Sequence, residues 1–107
     1  MEIVLLGSVG RYIKTLSSVT EKSQISHYIN RQETLGYFLK RPVSAPLRNG
    51  MNELRPGPHR LLFFFHKNFI VVCHAFRKRS NEVPEREIET ALSNREKYLQ
   101  KEAQHDY

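Results

Sequence analysis

The stretch "RLLFFFHKNFIVVCHAFRKR", residues 60 to 79, decides the fold. Arg60 to His66 and Phe69 to Phe76 are two runs of β-branched and aromatic residues, and only Lys67 and Asn68 separate them, so the spacing predicts a β-hairpin. "LLFFF" offers apolar side chains to both faces, which predicts a central strand with helices covering one side. Two registers are open. A two-residue turn at Lys67 and Asn68 pairs Arg60 with Ala75 and points His74 to the opposite face, as a structural residue. A three-residue loop, His66 to Asn68, sets Arg60 against His74 and makes that histidine a catalytic candidate.

Upstream, Met51 to Arg55 is a short strand candidate ended by Pro56-Gly57-Pro58, and Lys40 to Gly50, with Pro42, Pro46 and Asn49-Gly50, reads as a loop. Ser18 and Glu21 have the spacing of a capping box, opening a helix whose apolar stripe is Ile25, Tyr28, Ile29 and Leu35 and whose end is Gly36. Val9, Tyr12, Ile13 and Leu16 mark a shorter helix before it, and the two form a helical hairpin whose Tyr and Ile positions are assigned to the core. Glu2 to Leu6 offers a possible leading strand. Downstream, Pro84 and the glutamates 85, 87 and 89 open a helix with a thin stripe of Ile88, Ala91, Leu92, Arg95 and Leu99, and the tail from Lys101 is expected to fray. The expected architecture is one α+β domain over residues 1–107. A helical hairpin packs on a small twisted antiparallel sheet of three to four strands, followed by a C-terminal helix.

Composition limits the function classes. Hydrophobic residues at 39% and charged residues at 26% are globular proportions, not those of a disordered chain. Cys73 is the only cysteine, which excludes an internal disulfide and a thiolate metal site and suits a reducing compartment. No apolar run approaches the ~20 residues of a membrane span, so a cytoplasmic location and no membrane partner are expected. The net charge of +6 is concentrated. Residues 54 to 81 hold Arg55, Arg60, Lys67, Arg77, Lys78 and Arg79, together with His59, His66 and His74, and no carboxylate. A run of that kind focuses positive potential and suits a phosphate backbone.

The chain has no Gly-rich phosphate loop and no Cys-His or His-x-x-x-His spacing for metal, so neither metal nor cofactor is expected. RNA scission needs no metal. It requires deprotonation of a 2′-hydroxyl, neutralisation of the phosphorane charge and protonation of the leaving 5′-oxygen. Arg55, Arg60 and Lys78, on adjacent strand ends, could form such a site or one that only binds phosphate, because guanidinium forks match phosphate oxygens and clustered cations lower a neighbouring Lys or His pKa.

The block "NELRPGPHRLLFFFHKNFIVVCHAFRKRSNEVPEREIETAL", residues 52 to 92, resembles the phage-derived HigB-like branch of the RelE/ParE toxin superfamily. Its shared features are a strand ending in Glu-Leu-Arg, an Arg opening an aromatic strand, a His-x-Phe strand running into basic residues, and a Pro-led helix. The resemblance implies a type II toxin, a ribosome-dependent mRNA endoribonuclease with ribosome and mRNA as partners. A helix-turn-helix, HigA-like antitoxin would neutralise it and supply its only, indirect, contact with DNA. By position Arg60 looks like the arginine that meets the scissile phosphate, Lys78 stands where RelE-type toxins carry a transition-state arginine, and Arg55 ends the strand that brings lysines to the RelE site. Met51 and Glu53 replace those lysines and Pro84 replaces the RelE tyrosine, so proton transfer falls to Lys78, His59 or His74, or to electrostatic stabilisation alone. Arg77, Arg79, Lys67 and His59 are then assigned to the RNA backbone. The rival readings are a ParE-like inhibitor of DNA gyrase that cuts nothing, and an inactive nucleic-acid-binding relative.

Overall fold

A computed structural model describes residues 1–39 and 43–105. The elements run β1 (Glu2–Leu5), α1 (Gly7–Lys14), α2 (Val19–Leu35), a 3-10 turn (Gly36–Phe38), β2 (Ser44–Pro46), β3 (Asn52–Leu54), β4 (His59–His66), β5 (Phe69–Arg77) and α3 (Glu85–His105). The five strands form one sheet in the order β1-β5-β4-β3-β2. The α+β class stands, but the sheet has five strands rather than three to four. It is also mixed rather than antiparallel, because β1 joins the edge of β5 in parallel. The leading strand is present as β1, and the unexpected strand is β2, which lies inside the segment read as a loop. It pairs Ser44 with Leu54 and Pro46 with Asn52, and Pro46 is tolerated because an edge strand does not need every N–H. Lys40 to Pro42 of that loop lie outside the described residues.

Period-two alternation along β4 sends His59, Leu61, Phe63 and Phe65 to one face and Arg60, Leu62, Phe64 and His66 to the other. The first face packs on α1 and α2 through Val9, Ile25, Leu54, Leu61, Phe63, Ile70 and Val72. The second packs on α3, where Met51, Leu62, Phe64, Val71, Cys73 and Phe76 meet Ala91, Leu92 and Leu99. The central strand is therefore covered on both sides, not one, which is what an all-apolar "LLFFF" requires.

Local signals shape the helices. Ser18 Oγ accepts from the Glu21 N–H at 3.1 Å and starts α2, while Gly36, at φ +55°, ends it. Leu35, read as the end of the apolar stripe, is 41% exposed. The expected frayed tail is helical from Lys101 to His105.

The hairpin turn has two central residues, Lys67 and Asn68, with His66 paired to Phe69. Neither sequence register survives to the far end, because Phe63 pairs with Val72 and Leu62 with His74, leaving Cys73 as an extra residue in β5. Arg60 consequently pairs with Phe76, and His74 lies on the same face as Arg60, two residues along the ladder. Cys73 fills the bulge with a fully buried thiol whose Sγ lies 3.5 Å from the Leu62 and Ala91 carbonyls. Burial pushes that thiol up to about 12, so it is a packing residue and not a nucleophile.

Candidate functional site

At one end of the sheet β3 stops, β4 starts and β5 stops. The turn between β3 and β4 is tight: the His59 N–H donates to the Pro56 carbonyl at 3.0 Å, and Gly57 takes φ +57°. A Cβ at Gly57 would also lie 2.4 Å from Gln24 Oε1, so the turn lies directly on α2. The Lys78 N–H donates to the Pro58 carbonyl at 2.8 Å and ties the exit of β5 to this turn. Backbone geometry thus brings Arg55, His59, Arg60, Arg77, Lys78 and Arg79 to one rim.

Within the rim two carboxylates divide the cations. Glu53, 3% exposed, holds Arg55 through Oε1, with Nε at 2.8 Å and Nη2 at 2.7 Å. Its Oε2 lies 3.9 Å from Arg60 Nε and has no hydrogen-bond partner among the described residues. Arg60 Nη1 donates to the carbonyls of Gly57 and His59, each at 2.7 Å. Burial lowers the Arg60 pKa from the usual arginine value, Glu53 opposing and Arg55 reinforcing the shift, but a guanidinium stays charged at neutral pH. The result is a braced fork of two arginines and one carboxylate with a single net positive charge.

The second carboxylate is Glu21, from the first turn of α2. Its Oε1 meets His59 Nε2 at 3.0 Å and Arg77 Nη2 at 2.8 Å, and the other ring nitrogen of His59, Nδ1, lies 2.7 Å from the Tyr12 hydroxyl. Since a carboxylate can only accept, the His59 Nε2–H donates to Glu21, and in the neutral imidazole this leaves Nδ1 to accept from the Tyr12 O–H. Partial desolvation lifts the Glu21 carboxyl, but the Arg77 guanidinium and the His59 ring outweigh it and hold it below the usual carboxylate range. Burial raises the Tyr12 hydroxyl, with Glu21 and Glu87 adding to the rise and Arg77 opposing it. His59, assigned by sequence to the RNA backbone, is fully buried and touches solvent nowhere. Tyr12, assigned to the core, is half-buried and is the outward end of the chain of bonds.

The remaining candidates are separated. The His74 Nε2–H donates to Glu87 Oε1 at 2.9 Å, and the ring stacks on Phe76 under the start of α3. Lys67 is at the opposite end of the hairpin, roughly 23 Å of strand from His59, with Glu102 Oε1 at 2.7 Å. His66 shares that carboxylate at 2.9 Å. The run without a carboxylate is therefore largely paired in space by Glu21, Glu53, Glu87 and Glu102 from outside it. Among the described residues Lys78 and Arg79 are exposed and carry no ion pair.

Tyr12 and Glu21 are the residues that sequence reading missed. Tyr12 was the one hydroxyl on an otherwise apolar helix stripe, and Glu21 was explained by half of a capping box whose return bond it does not make.

No curated protein shows significant similarity to the chain. Residues 11–96, which include both carboxylate clusters' rim residues from Tyr12 to Arg79, match the model of the family described as "Phage derived protein Gp49-like (DUF891)". With most of its length matched, the chain belongs to this Gp49-like family, a family of RelE-type, toxin-like proteins.

Proposed function

We propose that the chain is the toxin of a type II toxin-antitoxin pair, of the HigB-like branch, and that it acts in the cytoplasm as a metal-independent endoribonuclease on mRNA held by the ribosome. The observation that carries this reading is the convergence of Arg55, Arg60, Arg77, Lys78 and Arg79 on one rim, where Lys78 and Arg79 project into solvent. Braced arginines cost little reorganisation when a phosphorane charge develops beside them, and exposed lysine and arginine supply salt-sensitive attraction to the backbone. Arg60 is the group for the scissile phosphate, Arg55 and Glu53 hold it in place, and Lys78 protonates the leaving oxygen. The acidic segment of a HigA-like, helix-turn-helix antitoxin covers the same rim, and DNA is met only through that antitoxin.

Primer extension on a defined mRNA in a purified translation system, with and without ribosomes, tests the reading. Cuts are expected only with ribosomes, reduced about 10²-fold in Arg60→Ala and Lys78→Ala. Intact mRNA under every condition overturns it. The Glu53 clamp favours a second reading, since an arginine already engaged by a carboxylate and two carbonyls also suits a chain that binds without cutting. A ParE-like role would then appear as inhibition of gyrase supercoiling by a chain that leaves mRNA intact.

A further inference from the structure

On the mRNA-cleavage reading one role is unfilled: neither Arg60 nor a cationic Lys78 can accept the proton of the attacking 2′-hydroxyl. We propose that Tyr12 takes this proton and passes its own to the buried His59, while Glu21 holds the imidazole and Arg77, bound to the same Glu21 oxygen, meets the phosphate. The inference rests on that reading but assigns the step to residues outside the rim's arginine fork.

The geometry runs in one direction. Tyr12 O–H points at His59 Nδ1 across 2.7 Å, and His59 Nε2–H points at Glu21 Oε1 across 3.0 Å. This is the order hydroxyl, imidazole, carboxylate, in which the imidazole is fixed in the tautomer that can accept and the carboxylate stabilises the imidazolium that forms. His59 is fully buried, so it cannot meet RNA and acts only through Tyr12. The ring edges support the arrangement, with Tyr12 and His59 T-shaped at 5.6 Å between centroids. Arg77, 52% exposed at its side chain, carries the phosphate-binding face to the same place.

In the step, the 2′-O–H bond breaks and its proton passes to the Tyr12 oxygen as the Tyr12 proton moves to His59 Nδ1. The freed electron pair on O2′ forms the bond to phosphorus, and the P–O5′ bond breaks. O5′ takes a proton from the Lys78 ammonium. The products are a 2′,3′-cyclic phosphate and a 5′-hydroxyl, with imidazolium and neutral lysine exchanging protons with water afterwards. Because the two transfers at Tyr12 are concerted, no free phenolate is required. The charged groups facing the relay are Glu21 from α2, Arg77 from β5 and Glu87 from α3.

The test is single-turnover cleavage of a defined mRNA on ribosomes between about pH 5.5 and 8.5, alongside ribosome binding and urea unfolding of each variant. Tyr12→Phe keeps the ring and is expected to lower the cleavage rate constant about 10²-fold, with binding within about twofold, and to abolish the fall in rate toward acid that a general-base step imposes. Glu21→Gln is expected to lower the rate about tenfold and displace that acid limb. If Tyr12→Phe does not fold, 3-fluorotyrosine at position 12 keeps ring and hydroxyl, and a rate profile that ignores the changed phenol acidity overturns the relay. A folded Tyr12→Phe that cuts like the wild type with the same acid limb also overturns it and leaves the mRNA-cleavage reading intact. Wild-type chain that leaves mRNA whole overturns both.

Discussion

At one end of the β4–β5 hairpin Tyr12, His59, Glu21 and Arg77 meet; at the other, Tyr98, His66, Glu102 and Lys67 do. Tyrosine, histidine and glutamate recur at both ends beside a cation, arginine at one and lysine at the other, and the states differ. His59 is sealed under α1 and α2, whereas the side chain of His66 is 27% exposed. The Tyr12 hydroxyl bonds the ring nitrogen of His59, but Tyr98 stands edge-on to His66 with centroids 6.3 Å apart. Burial, and Glu102 beside it, raise the Tyr98 hydroxyl. Lys67 and His66 in turn hold the Glu102 carboxyl at about 2. One end is a directed chain of donors; the other is an ion-pair knot that fastens α3 to the hairpin. Which atom faces which, and whether water reaches the imidazole, separates a relay from a tether.

The largest expected difference is in stability. His59→Ala opens a cavity and strands the Tyr12 hydroxyl and the Glu21 carboxylate, and should cost about 3 kcal/mol. His66→Ala, with its partners already in solvent, should move the urea midpoint by about a third as much or less. Equal shifts would erase the distinction. Next comes the rim against the turn: Lys78→Ala should reduce cleavage on ribosomes about 10²-fold, while Lys67→Ala, at the far end of the hairpin, should stay within about twofold. A strong Lys67 effect would place RNA along the whole hairpin. The smallest effect is the acid response of the tether. Glu102 titrates at about 2 in the fold against an ordinary 4.5, so its contribution is complete above pH 4.5 and disappears as pH falls toward 2. A carboxyl NMR titration of Glu102 checks this, and an ordinary midpoint would remove the knot.

Much of the frame was legible in the sequence because it is local. The two β-rich runs, the hairpin around Lys67-Asn68, the Ser18 cap and the Gly36 stop all depend on neighbours within four residues. β2 escaped because three residues with a proline carry no alternation to read, and their strand character comes from β3. The parallel partnership of β1 with β5 escaped because it is a contact between residues 67 positions apart, Glu2 with Phe69. Charge counting failed for the same reason. A segment without carboxylates looks like a cationic surface, yet Glu21 lies 38 residues from His59 and Glu102 lies 36 from His66. Of the six cations that the count named, Lys78 and Arg79 are the two without a carboxylate partner among the described residues.

The extra residue in β5 determines the phase of everything after it. From Phe69 to Val72 the strand keeps step with β1 and β4; from His74 onward the alternation is inverted. Arg77 therefore faces Glu21 and α2, and His74 faces Glu87 and α3. Were Cys73 instead to take a place in a regular ladder opposite Leu62, the two would exchange faces, and the Arg77 guanidinium would leave the buried histidine. Deletion of Cys73 would straighten the strand and leave every later partner where it is, whereas a one-residue slip that absorbs the bulge would rewire the rim with the hairpin turn and its tether still in register. Such a slip offers a route by which a chain of this kind could keep its fold and lose, or change, its chemistry.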